Sequence, residues 1–249
     1  MAEGSPWRSL EVLGSVGSTN AVLAAAAADG APAGTVVAAE HQEAGRGRLD
    51  RTWVSPPRAG ITVSVLLRPD LPASRRSWLP LLAGVALAEA VRDVTGVRTA
   101  LKWPNDLLAA DGGKLAGVLA EAVPGGVVLG VGLNVSTTPD ELPGGGTSLL
   151  VQGAATTDRT ALLAGFLDRL ADRYRRWAAA LGDPIGSGLA RDYLAWSGTV
   201  GSAVSVTLPD GAVVRGVAEA VDWDGRLVVS TEQGRFELAA GDVVHVRRT

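Results

Sequence analysis

The 249-residue chain has no cysteine, two histidines and one methionine, and only 4% of its residues are aromatic. Without cysteine there is no disulfide, no thiolate nucleophile and no cysteine-based zinc site. The composition fits a reducing compartment, with the cytoplasm as the expected location. His41 and His245 cannot make a zinc site by themselves. Positive charge is not in excess: 23 Lys and Arg against 26 Asp and Glu leave a formal charge of −3. No overall field therefore draws the chain to DNA or to an anionic membrane, and any work done by cations is local. No apolar run approaches the roughly 20 residues of a membrane helix, since even Ala21 to Ala28 is stopped by Asp29 and Gly30. Met1 to Leu10 lacks the basic start and apolar stretch of a secretion signal. Three familiar signatures are also missing. Lys114 follows a glycine but precedes Leu115, so there is no P-loop, and neither a Gly-x-Gly-x-x-Gly turn nor a Gly-x-Ser-x-Gly elbow occurs.

What is present is 47% hydrophobic residues, enough for a sizeable core. Ser9 to Leu13 reads as a strand, and Ser18 or Thr19 as the cap of a helix running to Ala28 and stopped by Gly30. Thr35 to Glu40 and Ile61 to Leu67 read as strands on either side of a polar, glycine-broken loop, His41 to Gly60. Leu79 to Val94 has helical spacing. Val97 to Trp103, Leu107 to Ala110, Lys114 to Glu121 and Val127 to Val135 are close-set strands whose short turns imply antiparallel pairing. Asp158 to Leu181 predicts a long amphipathic helix, with Leu162, Phe166, Leu170 and Trp177 on one face and Arg and Asp on the other. Leu189 to Trp196 predicts another. From Gly198 short strands alternate with turns such as Pro209-Asp210-Gly211, which implies a small β-barrel of about 50 residues packed directly on the first domain. The fold class is α+β, with domains at 1–196 and 197–249.

Candidate chemistry falls in a few segments. In Gly45-Arg46-Gly47-Arg48, glycines let the backbone approach a ligand while guanidinium forks offer paired donors to phosphate or carboxylate oxygens, and Trp53 can cover an aromatic ring. Read alone, the same loop also fits a solvated surface with salt bridges. Lys102-Trp103-Pro104-Asn105-Asp106 holds an ammonium at a strand end, suited to a transferring phosphoryl group, or is a plain turn with a snorkelling lysine. Gly112 to Glu121 puts small residues, Gly117 among them, on a strand where a flat ligand can lie, or is simply a glycine-bearing hairpin. Gly17-Ser18-Thr19-Asn20 offers hydrogen-bonding groups to a polar ring, or caps a helix. Asn134 either bonds a nucleotide or closes a strand.

Taken in order, these segments together with Gly130-Val131-Gly132-Leu133-Asn134-Val135 resemble the biotin protein ligase family across nearly the whole chain. The resemblance implies a catalytic domain like the class II aminoacyl-tRNA synthetases, built on a mixed sheet, followed by an SH3-like domain. It implies biotin and ATP as substrates with Mg²⁺, whose ligands the sequence does not identify, and the biotin carboxyl carrier domain of a biotin-dependent carboxylase as partner. Ser18, Thr19, Asn20, Gln42 and Gly117 fall where the family holds biotin. Arg46, Gly47, Arg48 and Lys102 fall where it holds biotin and carries the chemistry. Arg48, Lys102, Trp53, Asn105 and Asn134 fall where it contacts the nucleotide. Asp50 departs from the glycine common at that position, which is expected to stiffen the loop and alter its charge. Only about 17 residues precede the biotin motif, so the expectation is a ligase without a DNA-binding repressor domain, monomeric or homodimeric. A lipoate ligase shares the acyl-adenylate logic, but the polar Ser18-Thr19-Asn20 cluster favours a ureido ring over a dithiolane. A regulatory nucleic-acid module is disfavoured by the acidic charge.

Overall fold

The computed structural model describes residues 5–49 and 51–246. The expectations for Asp50 and for the first four residues lie outside the described residues. Seven strands form a mixed sheet: β1 (Ser9–Leu13), β2 (Thr35–Ala39), β3 (Gly60–Leu67), β4 (Thr99–Lys102), β5 (Asp106–Ala109), β6 (Lys114–Val123) and β7 (Gly126–Asn134), in the order β1-β2-β3-β7-β6-β5-β4. Only β1 and β2 pair in parallel. The short turns between β4 and β7 give the expected antiparallel run.

Alternation along β6 and β7 assigns the two faces of the sheet. Ala116, Val118, Leu129, Val131 and Leu133 point into the main core, which helices α2 (Leu79–Thr95) and α3 (Arg159–Ala179) share. On the other face α1 (Thr19–Ala28) covers β2 and β3 with Leu23 and Ala27 against Val37, Leu66 and Val128. Gly117 opposes Gly132, and Leu119 opposes Gly130, on that same second face. Beyond the start of α1 the sheet therefore presents a low, glycine-lined floor, and this is where the site forms.

Two local expectations are corrected. Ser18 is the N-cap of α1 by position, yet its side chain makes no capping hydrogen bond. The Gln42 side chain reaches the helix start instead, accepting from the Thr19 N–H at 2.8 Å. In α3 the Arg and Asp residues do not all face water. Arg173 is buried and donates to Glu89 of α2 and to Asp192 of α4 (Leu189–Trp196), tying three helices through one guanidinium. Asp158 caps α3 by accepting from the Thr160 and Ala161 N–H groups.

The C-terminal strands β8 (Ala203–Thr207), β9 (Val213–Val221), β10 (Leu227–Thr231), β11 (Gly234–Leu238) and β12 (Asp242–His245) make a five-stranded antiparallel sheet ordered β11-β10-β9-β8-β12. It packs directly on the larger unit. The indoles of Trp78 and Trp103 donate to the carbonyls of Trp223 and Gly225 in the β9–β10 turn, and Arg75 stacks on Trp223. No helix among the described residues is long and apolar enough to cross a membrane.

The buried Arg173 gives a stability prediction. Arg173→Met leaves the half-buried Glu89 without a counter-ion and Asp192 with only the exposed Arg191, and urea unfolding is expected to show a loss of about 3 kcal/mol.

Candidate active site

The loop after β2 is more ordered than its composition implies. Val16 and Gln42 form an isolated bridge, as do Arg46 and Thr52. The Gly47 N–H donates to the Arg51 carbonyl at 2.6 Å, and the Trp53 N–H donates to the Gly45 carbonyl at 2.9 Å. Residues 45–49 and 51–53 therefore fold back on each other as a hairpin-like flap and lay the Trp53 indole over the glycine floor. A Cβ at Gly132 would sit 2.6 Å from the indole Nε1, so the ring can rest there only because β7 carries no side chain at that point.

Under the flap is a narrow cavity of about 130 Å³. Ser18, Thr19, Asn20 and Gln42 make its polar end, and Arg46, Gly47, Arg48, Lys102, Asn105, Gly117 and Trp53 also line it. Ser18, Thr19 and Asn20 are buried, and Thr19 Oγ1 donates to Gln42 Oε1 at 3.0 Å. A wider cavity of about 610 Å³ adjoins it, sharing Trp53 and Lys102 and adding Asn134. Of the residues singled out in the sequence, Asn134 alone lies in the wider cavity and not the narrow one. Its amide is buried and donates to the Thr147 carbonyl.

Three charged residues at the centre were given no role from the sequence, although Asp106 and Lys114 stand inside the segments singled out there. Lys114, dismissed there with the P-loop, lines both cavities, 6.0 Å from the Trp53 ring centre. Its ammonium lies 2.7 Å from Asp106 Oδ1, which has no aligned hydrogen bond of its own. Asp242, the first residue of β12, also lines both cavities and accepts from Arg51 at 2.6 Å. The signal for Lys114 was its place directly after the Gly112-Gly113 turn, at the start of the strand that carries Gly117. For Asp242, nearly 200 residues from the flap, no local signal exists.

Charge sets the chemistry of this space. Burial lowers the pKa of the Arg48 guanidinium, while Asp106 and Asp242 raise it. The hydrogen bond from Arg51, with the charges of Arg51, Lys102 and Lys114, holds the Asp242 carboxyl below the usual carboxylate range against the opposing effect of burial. Burial, then the Lys102 charge, pushes the His245 imidazole down. The result is a partly dry pocket with a surplus of cation donors at one end and neutral polar groups at the other, suited to binding two anions side by side along with an uncharged polar ring.

The model of the Biotin/lipoate A/B protein ligase family matches residues 14–137, and that of the biotin protein ligase C terminal domain matches residues 199–246. The biotin–[acetyl-CoA-carboxylase] ligase of Mycobacterium tuberculosis is 47% identical over 98% of this chain and 91% of its own. A bifunctional ligase/repressor of Bacillus spizizenii is 32% identical over 92% of this chain and 71% of its own. Among solved structures, the biotin protein ligase of Aquifex aeolicus in complex with biotin and ATP is similar with a TM-score of 0.78 and 26% identity, covering 97% of this chain and 100% of that one. On the combined evidence of cavity, sheet and sequence, the chain belongs to the biotin protein ligase family.

Proposed function

We propose that the protein activates biotin with ATP to biotinyl-5'-AMP and transfers the biotinyl group to a lysine of the biotin carboxyl carrier domain of a biotin-dependent carboxylase. The observation that carries this reading is the meeting, in one narrow cavity, of a neutral hydrogen-bonding end and a cationic end beneath the Arg46–Arg48 flap. In the larger unit, residues 1–196, Ser18, Thr19, Asn20 and Gln42 take the ureido ring and Gly117 lets it lie flat against β6. The smaller unit, residues 197–249, closes the mouth with Asp242. The cysteine-free chain fits action in the cytoplasm.

In the first half-reaction a biotin carboxylate oxygen attacks the α-phosphorus and pyrophosphate leaves. Two anions must approach, and Arg46, Arg48, Lys102 and Lys114 offset both their repulsion and the charge that grows on the pentacoordinate phosphorus. Trp53 and Asn105 border the nucleotide, with Asn134 further out in the wider cavity. Among the described residues no group of three or more His, Cys, Asp or Glu gathers to hold a metal ion. Mg²⁺ is therefore assigned no protein cage and enters as the counter-ion of the triphosphate. In the second half-reaction the neutral ε-amine of the carrier lysine attacks the biotinyl carbonyl, loses a proton, and AMP leaves as the anhydride bond breaks. No protein nucleophile is needed, but the anhydride must be kept from water, which is the task of the flap.

Three measurements test this. Given biotin, ATP and Mg²⁺, the purified chain is expected to catalyse biotin-dependent pyrophosphate exchange and to label a carrier lysine with formation of AMP. Exchange driven by lipoate and not biotin would overturn the assignment. Arg48→Gly is expected to keep part of its biotin binding yet release biotinyl-5'-AMP at least about tenfold faster, about 1.4 kcal/mol of lost retention, read by dissociation of the labelled adenylate. Gly132→Ala forces the Trp53 indole off the floor, and its KM for ATP is expected to rise about tenfold, measured by steady-state exchange.

A further inference from the structure

The polar end of the cavity is held by a hydrogen-bond network whose protons do not suffice for its contacts. Ser64, fully buried on β3, lies directly behind it. Its Oγ is 2.8 Å from Thr19 Oγ1 and 2.6 Å from Asn20 Oδ1. Thr19 Oγ1 is in turn 3.0 Å from Gln42 Oε1. Each of these three contacts needs a proton, and the two hydroxyls supply only two. One contact must go without, so the network has more than one possible direction of donation.

The direction is decided at its far end. Asn20 Nδ2 donates to Glu121 Oε2 at 2.6 Å, with the Leu119 carbonyl a long second acceptor at 3.5 Å. A carboxylate can only accept, so the Asn20 carboxamide is fixed with its NH₂ toward Glu121 and its oxygen toward Ser64. Ser64 must spend its proton on Asn20 Oδ1. Its remaining lone pairs face Thr19, so the Thr19 proton is drawn to one of two protein acceptors, Ser64 Oγ or Gln42 Oε1. Gln42 cannot turn its NH₂ to Thr19 instead, because Oε1 also accepts the Thr19 backbone N–H. The Thr19 hydroxyl therefore offers lone pairs, and no proton, to the cavity. β7 keeps this arrangement tight, since a Cβ at Gly130 would collide with the Asn20 carboxamide.

We propose that Glu121 is a positioning residue that sets the direction of donation from Ser64 in the ring-recognition cluster, acting through Asn20, so that the Thr19 lone pairs are left to accept from a ring N–H. The inference rests on the reading of biotin as substrate and names what makes its ureido N–H groups recognisable. With Glu121→Gln, the carboxamides of residues 20 and 121 can pair in either orientation. In the reversed one Asn20 donates to Ser64 and Ser64 donates to Thr19, whose own proton stays on Gln42 Oε1, so that one of the two Thr19 lone pairs is taken and the hydroxyl is a poorer acceptor for the ring N–H.

The test is biotin-dependent pyrophosphate exchange by the full chain and its variants. Glu121→Gln preserves shape and hydrogen-bonding capacity, so a merely structural residue leaves the kinetics alone. A directing residue raises the biotin KM about tenfold while kcat and the KM for ATP stay within about twofold. Combining Glu121→Gln with Asn20→Asp restores the original direction, because residue 20 then accepts from both neighbours, and is expected to recover most of the lost biotin affinity. Asn20→Asp alone sets two carboxylates face to face and is expected to be worse than either. Ser64→Ala, which leaves the Asn20–Glu121 contact intact, provides an independent arm and is also expected to raise the biotin KM selectively. An active parent chain whose Glu121→Gln and Ser64→Ala variants keep the same biotin KM overturns the inference alone. A parent chain with no biotin-dependent exchange overturns the functional reading and the inference with it.

Discussion

Among the described residues, five cations, Arg46, Arg48, Arg51, Lys102 and Lys114, line one narrow cavity with two carboxylates, Asp106 and Asp242, among them. In water such a cluster is screened; under a flap and against a glycine floor it is not, and the repulsion has to be carried by the fold. Much of the architecture follows from that constraint. Three of the cations come from the flap and the other two from the end of β4 and the start of β6, so the cluster is assembled only when the flap folds back over the sheet. The carboxylates stand between them: Asp106 against Lys114, Asp242 against Arg51. The chain as a whole is acidic, −3 in formal charge, so the cavity is a local positive field on a negative body, a distribution that concentrates small anions without attracting polyanions at large.

The same floor seats two different side chains because β6 and β7 differ on their two faces. Toward α2 and α3 they are apolar and close-packed. On the opposite face glycine replaces a side chain wherever something else must lie against the backbone: the Trp53 indole at Gly132 and the Asn20 carboxamide at Gly130. Small residues here are a steric requirement and not a source of flexibility.

This explains what was legible in the sequence. Strand alternation, apolar runs and helical periodicity gave the elements from β1 to α4 to within about three residues, because burial on one face, or on both as in β3, leaves its pattern in the residue types. The flap read as an irregular loop, since backbone bonds such as Gly47 to Arg51 leave no mark on composition. Arg173 was placed with the solvent-facing residues of α3 because polarity is visible in sequence and a buried partner pair on two other helices is not. The site residues that belong to ordered motifs, Ser18 to Asn20, Gln42, the Arg46–Arg48 flap, Lys102 and Gly117, come together in one cavity. Ser64 and Asp242 gave no signal. One is a serine in an otherwise ordinary buried strand, the other an aspartate at a barrel strand end, and both matter only through what the tertiary fold sets opposite them.

The Arg51–Asp242 pair shows why such contacts are not to be valued by stability. Arg51 and Asp242 are 60% and 37% exposed, so the pair contributes at most about 1 kcal/mol to folding. Asp242 is nevertheless held in its ionised form by Arg51, Lys102 and Lys114, and it comes from the C-terminal sheet while all three cations come from the larger unit. A weak, solvent-accessible ion pair between two structural units is one that a phosphate oxygen can compete for, since Arg51 can exchange one anionic partner for another at little net cost. The C-terminal sheet is thus joined to the flap by a contact strong enough to orient it and weak enough to be replaced. The firm attachment of that sheet lies elsewhere, in the buried indoles of Trp78 and Trp103 that donate to the β9–β10 turn.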